Sequence, residues 1–147
     1  MREAKANGLH IGAYIFSRAK TKEEAEDEAI KLYNAAKKYG PDLPLYIDLE
    51  VANKAKYANT VAQAYLKKIK ALGGKGGVYA NLSWWNHHLK QTANLPFAMW
   101  LAQYNSTMSY KPASIVGMWQ YSSSGKVNGI KGKVDMNWLY IPYWNIK

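Results

Sequence analysis

The chain has 147 residues, enough for one domain with a hydrophobic core, and 48% of them are hydrophobic, which excludes a disordered chain. It has no cysteine, so disulfide bonds are excluded. No apolar run approaches the roughly 18 residues that a membrane-spanning helix needs.

The formal net charge is +10, and lysine supplies nearly all of the positive charge because Arg2 and Arg18 are the only arginines. Proteins that read nucleic-acid sequence usually rely on arginine for bidentate contacts, so no specific nucleic-acid partner is predicted. A diffuse lysine surface is more typical of general attraction to a polyanion, for which phosphate-rich bacterial wall polymers are one candidate. A solvated surface without a specific partner is the alternative.

The predicted elements begin with the end of a helix at residues 3–7, which Gly8 terminates. A short apolar strand follows at 10–16. Thr21 and Glu24 form a capping box that opens a helix, and Gly40-Pro41 ends it. The later predictions are a strand through Asp48 and Glu50, a helix from about 60 to 73, a strand at 77–81, a short helix or turn at 82–89, and strands at 97–104, 115–121 and 133–137.

The alternation of strands and helices in the first half predicts an α/β protein with a parallel sheet. The chain shows no repeat, linker or domain boundary, so one domain over residues 1–147 is predicted. In parallel barrels the active site lies at the carboxyl ends of the strands, which is where Asp48 and Glu50 are expected.

Asp48 and Glu50 lie two residues apart in the apolar segment 43–51. In a strand they share one face with Tyr46, while the aliphatic residues between them point into packing. Two like charges at this spacing repel, so one pKa should rise and leave a proton donor near neutral pH. Glycoside hydrolysis has this requirement, and the spacing leaves retaining and inverting courses open.

Asp135 is the third acid in a strand-like setting, since the other seven of the ten acids fall on predicted helices or in a turn. A divalent cation held by these three acids is an alternative to acid catalysis. Other chemistries are weakly supported. The glycines at 73–77 lack P-loop spacing, and the adjacent His87 and His88 do not form the pair of a zinc helix.

Aromatic side chains near the strand ends are expected to line a saccharide-binding cleft, with core packing as the alternative for each. The chain has 12 Tyr and 6 Trp against 2 Phe, a ratio that suits a wet concave surface. The candidates are Tyr14, Tyr46, Tyr79, Trp100, Tyr104, Trp119 and Tyr121.

Four segments follow one another along the chain: GLHIGAYIFS at 8–17, LYIDLE at 45–50, MWLAQYN at 99–105, and MWQYSS through VDMN at 118–137. In this order and spacing they resemble the family 25 glycoside hydrolases, the lysozymes (N-acetylmuramidases) of phages, bacteria and fungi.

The resemblance implies a (β/α) barrel with fewer helices than strands, and cleavage of the β-1,4 bond between N-acetylmuramic acid and N-acetylglucosamine in peptidoglycan glycan strands. Glu50 matches the family's general acid. Asp48 matches a second carboxylate that orients the substrate acetamido group or stabilises the intermediate, and Asp135 matches an acid of the site floor. No metal or organic cofactor is implied. The expected substrate-binding residues are Tyr14, Tyr46, Tyr79, Trp100, Tyr104, Trp119 and Gln120.

The family's first strand carries a further active-site aspartate in a Gly-Ile-Asp-Val-Ser-like segment. Neither that segment nor the strand and helix that follow it have a counterpart in residues 1–147. We therefore expect an N-terminally truncated catalytic domain with about six of the eight barrel strands and two exposed sheet edges. Weak or no activity of the chain alone is expected, as is association with itself or with a longer sister chain.

The expected place of action is the bacterial cell wall. Residues 1–8 are polar and do not resemble a signal peptide, so release by phage holin-type lysis or another route is expected. The alternative function is a non-catalytic fragment that binds the wall or serves regulation or assembly.

Overall fold

The computed structural model describes residues 1–111 and 115–145, and its central feature is a six-stranded sheet whose strands lie side by side in chain order. Strands β1 to β5 pair in parallel, and β6 is antiparallel to β5. The sheet curls into a half-barrel, which confirms the predicted α/β class and the predicted six strands. The strands are β1 (Ala13–Phe16), β2 (Leu45–Asp48), β3 (Gly76–Asn81), β4 (Ala98–Ala102), β5 (Val116–Gly125) and β6 (Val134–Leu139).

Helices cover the convex face of the first strands, whereas the described residues between β5 and β6 form none. The α-helices are α1 (Arg2–Ala6), α2 (Lys22–Ala36), α3 (Ala58–Ala71) and α4 (Leu82–His87). The predicted capping box opens α2. The Glu24 N–H donates to Thr21 Oγ1 at 3.2 Å, and the Thr21 N–H donates to Glu24 Oε2 at 3.3 Å. Short 3-10 turns lie at Lys37–Tyr39, Ala52–Tyr57, Thr92–Asn94 and Tyr143–Asn145.

The main core lies between the sheet and helices α2, α3 and α4. Small residues on α2 let it approach α3 closely, while α3 places larger apolar residues three and four positions apart against the sheet. The side chains that fill this core include Ala25, Ala29, Val61, Tyr65, Ile69, Trp85, Ile47, Val78 and Leu101, all of which are fully or almost fully buried.

A second, smaller cluster fills the concave side at the end of the half-barrel where the parallel strands begin. Tyr46, Ala98 and Tyr143 are its buried members. Tyr143 belongs to residues 141–145, which we call the closing segment. Its carbonyl oxygen accepts a hydrogen bond from Lys75 Nζ at 2.7 Å. The ring of Trp144 stacks on His10 with centroids 3.7 Å apart and an interplanar angle of 4°.

Several element boundaries differ from those predicted. β1 begins at Ala13, because residues 10–12 approach the sheet without joining it. A 3-10 turn precedes α3, which therefore begins at Ala58. β2 ends at Asp48, so Glu50 lies beyond the strand that was predicted to contain it. β5 continues to Gly125, because it pairs with β6 past the end of β4.

Candidate active site

An open groove of about 340 Å³ lies where the parallel strands end, as predicted for a barrel. Successive residues of a strand alternate between the two faces, so every second side chain of each strand points into the concave side. The residues that line the groove are Tyr14, Phe16, Asp48, Glu50, Tyr79, Trp100, Tyr104, Gln120 and Asp135.

Asp48 ends β2 and is only 7% exposed, although its side chain lines the groove. Within the described part of the chain, its Oδ1 atom is buried and has no hydrogen-bond partner. Burial, and secondarily the charge of Glu50, raises the pKa of Asp48 to about 7. The rise predicted for one member of the pair therefore falls on Asp48, and desolvation is its main cause.

Glu50 lies two residues past the end of β2 and is exposed in the same groove. On its other side it borders a narrow crevice formed with Ser17, Lys54 and Trp84. An exposed carboxyl group at the groove wall can approach a ligand in the groove, whereas the buried Asp48 is held in place by its strand. The two acids therefore meet in one space but have different surroundings.

Asp135 reaches the groove from the one described strand that runs antiparallel to its neighbour. It is the second residue of β6, and because β6 runs antiparallel to β5, the start of β6 lies near the carboxyl ends of the parallel strands. The structure thus brings together all three acids that the sequence singled out, Asp48, Glu50 and Asp135.

Polar and aromatic side chains line the groove beside these acids, and Tyr79 on β3 is the register partner of Asp48 on β2. Gln120 is 3% exposed, and its Oε1 atom accepts hydrogen bonds from Tyr79 Oη and Tyr104 Oη, each at 2.9 Å. Trp100 packs edge-on against Tyr79, and its Nε1 donates to Asn137 Oδ1 at 2.9 Å. Burial, with the neighbouring Tyr104 as a second cause, raises the pKa of Tyr79 above its ordinary value.

Two predicted substrate-binding residues do not line the groove. Tyr46 points to the concave side but lies deeper, 2% exposed beneath Trp100 in the second cluster. Trp119 follows the alternation of β5 to the convex face, where it packs in the main core and its Nε1 donates to the Gln103 carbonyl at 2.8 Å. Tyr121 also packs against that core.

Phe16 is a groove residue that the sequence reasoning missed. It is 44% exposed and ends β1 two residues after Tyr14, which is 61% exposed. The signal was present in the sequence, because residues two apart on a strand share a face and Tyr14 was already a candidate.

Residues 1–111 and 115–145 contain no group of three or more His, Asp or Glu side chains that could hold a metal ion. Among the same residues no helix is long and apolar enough to cross a membrane.

Comparisons with a family model, a curated relative and solved structures all lead to the same family. The model of Glycosyl hydrolases family 25 matches residues 1–130. A curated relative, the autolytic lysozyme of Clostridium acetobutylicum, is 33% identical over 138 residues, which are 91% of this chain and 40% of the relative.

Two solved structures share the fold at 28% identity. The CTP1L endolysin has a TM-score of 0.79, and the match covers 95% of this chain and 50% of that one. The catalytic domain of endolysin ply40, from bacteriophage P40 of Listeria monocytogenes, has a TM-score of 0.77 and coverages of 97% and 73%. The chain thus spans 40% of the autolytic lysozyme and half of the CTP1L endolysin. With a match over residues 1–130, the chain belongs to glycosyl hydrolase family 25.

Proposed function

We propose that this chain is a peptidoglycan hydrolase that acts at the bacterial cell wall and cleaves the β-1,4 bond between N-acetylmuramic acid and N-acetylglucosamine. One observation carries the proposal: Asp48, Glu50 and Asp135 line a single aromatic groove at the carboxyl ends of the parallel strands. The names of its relatives, an autolytic lysozyme and two endolysins, support the same substrate class.

In the proposed mechanism Glu50 is the general acid. A glycan strand in the groove excludes water from around the Glu50 carboxyl group. Glu50 then gives its proton to the glycosidic oxygen as the bond from that oxygen to C1 breaks. Water supplies the hydroxyl group that C1 gains and the proton that restores Glu50.

Asp48 supports this step from a fixed position, either by orienting the acetamido group or by stabilising positive charge at C1. Its burial and the raised pKa mean that its carboxyl group changes charge near neutral pH. Asp135 lies on the groove floor, and we propose that Tyr14, Tyr79, Trp100, Tyr104 and Gln120 contact the glycan.

The decisive test is Glu50→Gln, which keeps the side-chain shape but removes the proton donor. We expect the release of reducing ends from purified peptidoglycan to fall by at least about 100-fold, with an unchanged circular dichroism spectrum. Borohydride reduction of the products should yield N-acetylmuramitol, which identifies the bond that is cut. The matched control is Glu23→Gln on the exposed side of α2, which should keep full activity. Retained activity in Glu50→Gln, or N-acetylglucosaminitol as the product, would contradict the proposal.

A second candidate function is wall binding without catalysis, and the net charge of +10 favours it. Lysines on the surface would attract the anionic polymers of the wall. We expect the fraction of chain that co-sediments with such walls to fall steeply from about 0.1 M to about 1 M salt, because the Debye length shrinks from about 10 Å to about 3 Å. Salt-independent sedimentation would contradict the electrostatic part, and sedimentation without new reducing ends would favour this function over hydrolysis.

Two further proposals concern the open shape. The groove is uncovered along β1, where Tyr14 and Phe16 are exposed, so we propose that the chain alone hydrolyses peptidoglycan slowly. We also propose that the sheet edges β1 and β6 associate with another copy or with a longer sister chain.

A metal-dependent hydrolase is the alternative to acid catalysis by Glu50, and loss of activity on chelation would favour it.

A further inference from the structure

Hydrogen bonds within the chain occupy the side-chain oxygen of Gln120 and so restrict which of its atoms can bind a ligand in the groove. Its side chain lies on the concave side of β5, and its Oε1 atom accepts from two phenol groups, each at 2.9 Å. Tyr79 comes from β3 and Tyr104 from the segment after β4, so two separate parts of the chain converge on one oxygen.

A carbonyl oxygen has two lone pairs, so two hydrogen bonds saturate Gln120 Oε1. The amide is planar, and exchanging its oxygen and nitrogen would place Nε2 against both phenol groups that now donate. A phenol oxygen can also accept, but with Nε2 toward them the protons of Tyr79 and Tyr104 would lose the acceptor that they have here, so the two phenols favour the orientation in which Oε1 faces them. In this orientation Gln120 has only N–H donors left for a ligand, and no acceptor.

We propose that Gln120 donates a hydrogen bond to an acetamido carbonyl oxygen of the bound glycan, and that Tyr79 and Tyr104 are positioning residues that set the direction of its amide. This inference rests on the proposed function, since it assumes a glycan in the groove. It assigns a preference for N-acetylated sugars to three residues that line the groove beside the acids.

The preference follows from what each sugar presents to the amide. An acetamido carbonyl accepts hydrogen bonds and donates none, so it matches a group that can only donate. Removal of the acetyl group leaves an ammonium, which is also only a donor and leaves the Gln120 amide without a partner. The groove acids attract that ammonium, but they do so equally in the wild type and in variants of Gln120, Tyr79 and Tyr104.

The test measures calorimetric binding of the N-acetylglucosamine tetramer and of its fully de-N-acetylated counterpart. Gln120→Met removes the donor at similar volume. We expect it to weaken binding of the N-acetylated tetramer about tenfold and to leave binding of the de-N-acetylated one unchanged. The double variant Tyr79→Phe with Tyr104→Phe keeps Gln120 but frees its amide, so the ratio of the two affinities should fall in the same direction. Tyr140→Phe, an exposed residue after β6 and outside the groove, should change neither affinity.

Equal weakening of both tetramers in Gln120→Met would overturn the inference, because the donor would then face a ring hydroxyl. An unchanged affinity ratio in the double tyrosine variant would overturn the positioning role, and it remains measurable if Gln120→Met does not fold. If the wild type releases reducing ends from peptidoglycan while the variants keep the wild-type ratio of the two tetramer affinities, the inference fails and the proposed function stands. If the wild type neither binds nor cleaves any glycan, both fail.

Discussion

Asp48 and Glu50 are separated by one residue, yet the structure gives them different chemical properties. Asp48 ends a buried strand, and its carboxyl group has lost most of its contact with water. Glu50 follows the strand and is exposed. Burial therefore raises the pKa of Asp48 to about 7, while the Glu50 carboxyl group is open to the solvent in the groove.

The raised pKa of Asp48 predicts a pH-dependent cost to stability. The value is about 7 in the folded chain against 3.8 for a free carboxyl group, so between these pH values the unfolded state loses this proton and the folded state keeps it. Rising pH therefore favours unfolding over this window. Asp48→Asn should raise the free energy of unfolding more at pH 8 than at pH 4, as measured by urea denaturation.

The control for this prediction is Asp27→Asn, an exposed position on α2, whose effect should differ little between the two pH values. An Asp48→Asn effect of the same size at pH 4 and pH 8 would contradict the prediction. Because the substituted amide would also line the groove, stability rather than activity is the informative measurement.

The sequence pattern singled out the three acids that line the groove, but three of the seven aromatic candidates, Tyr46, Trp119 and Tyr121, lie elsewhere in the structure. The acids could be found because charged groups in apolar strands are rare and costly. Trp119 and Tyr121 alternate with Gln120 along β5, so only one of these two sets can face the groove, and the alternation alone does not say which. Tyr46 is buried with Tyr143 of the distant closing segment, which no local pattern predicts. The two hydrogen bonds to Gln120 Oε1 come from β3 and from the segment after β4, so no local pattern in the sequence predicts them.

At the scale of elements, the closing segment joins the two ends of the sheet. It follows β6, and Trp144 stacks on His10, which precedes β1. His10 Nδ1 also lies 2.9 Å from Asp42 Oδ2, and the Ile11 N–H donates to Asp42 Oδ1 at 2.7 Å. Burial raises the pKa of Asp42, but the hydrogen bonds from His10 and Ile11 outweigh it and hold the pKa below its usual value.

The stack between Trp144 and His10 should be measurable as a coupling energy. We expect a double-mutant cycle of Trp144→Ala and His10→Ala to give about 1 kcal/mol in the free energy of unfolding, because parallel rings at this distance stabilise each other beyond their buried area. Urea denaturation of the four proteins measures it. Trp144→Ala combined with His87→Ala, on α4, should be additive, and additivity in the His10 cycle would contradict the contact.

Helix positions were predicted well, because their signals lie close together in the chain. The capping box of Thr21 and Glu24 and the glycine at position 40 mark the limits of α2 and its 3-10 extension. Strand ends were predicted less well, since pairing with neighbours decides them. β5 continues beyond β4 because β6 pairs with it there, which the sequence of β5 alone does not reveal.

At the scale of the whole molecule, β1 and β6 are the edge strands of the described sheet, and each pairs with one neighbour only. Exposed apolar side chains lie at both edges: Leu9 just before β1 is 62% exposed, and Trp138 on β6 is 58% exposed. Such edges favour pairing with another chain, while the net charge of +10 opposes it at low salt.

Concentration-dependent association is therefore expected, and it should strengthen with salt. Light scattering should show a rising mean mass as protein concentration increases. Leu9→Lys combined with Trp138→Lys should shift the chain toward the monomer. Val127→Lys with Ile130→Lys adds the same charge in the connection between β5 and β6 and should have a smaller effect. A clean monomer of the wild type at high concentration and high salt would contradict the prediction.

The chain-order arrangement of the strands has a consequence for how this molecule is made. Each parallel strand pairs with the next one along the chain, so the sheet can assemble stepwise while a ribosome is still adding residues. The contact between His10 and Trp144 is different, because it joins opposite ends of the sequence. It can form only after translation has passed β6, which makes the ring stack a natural reporter that all six described strands have been made.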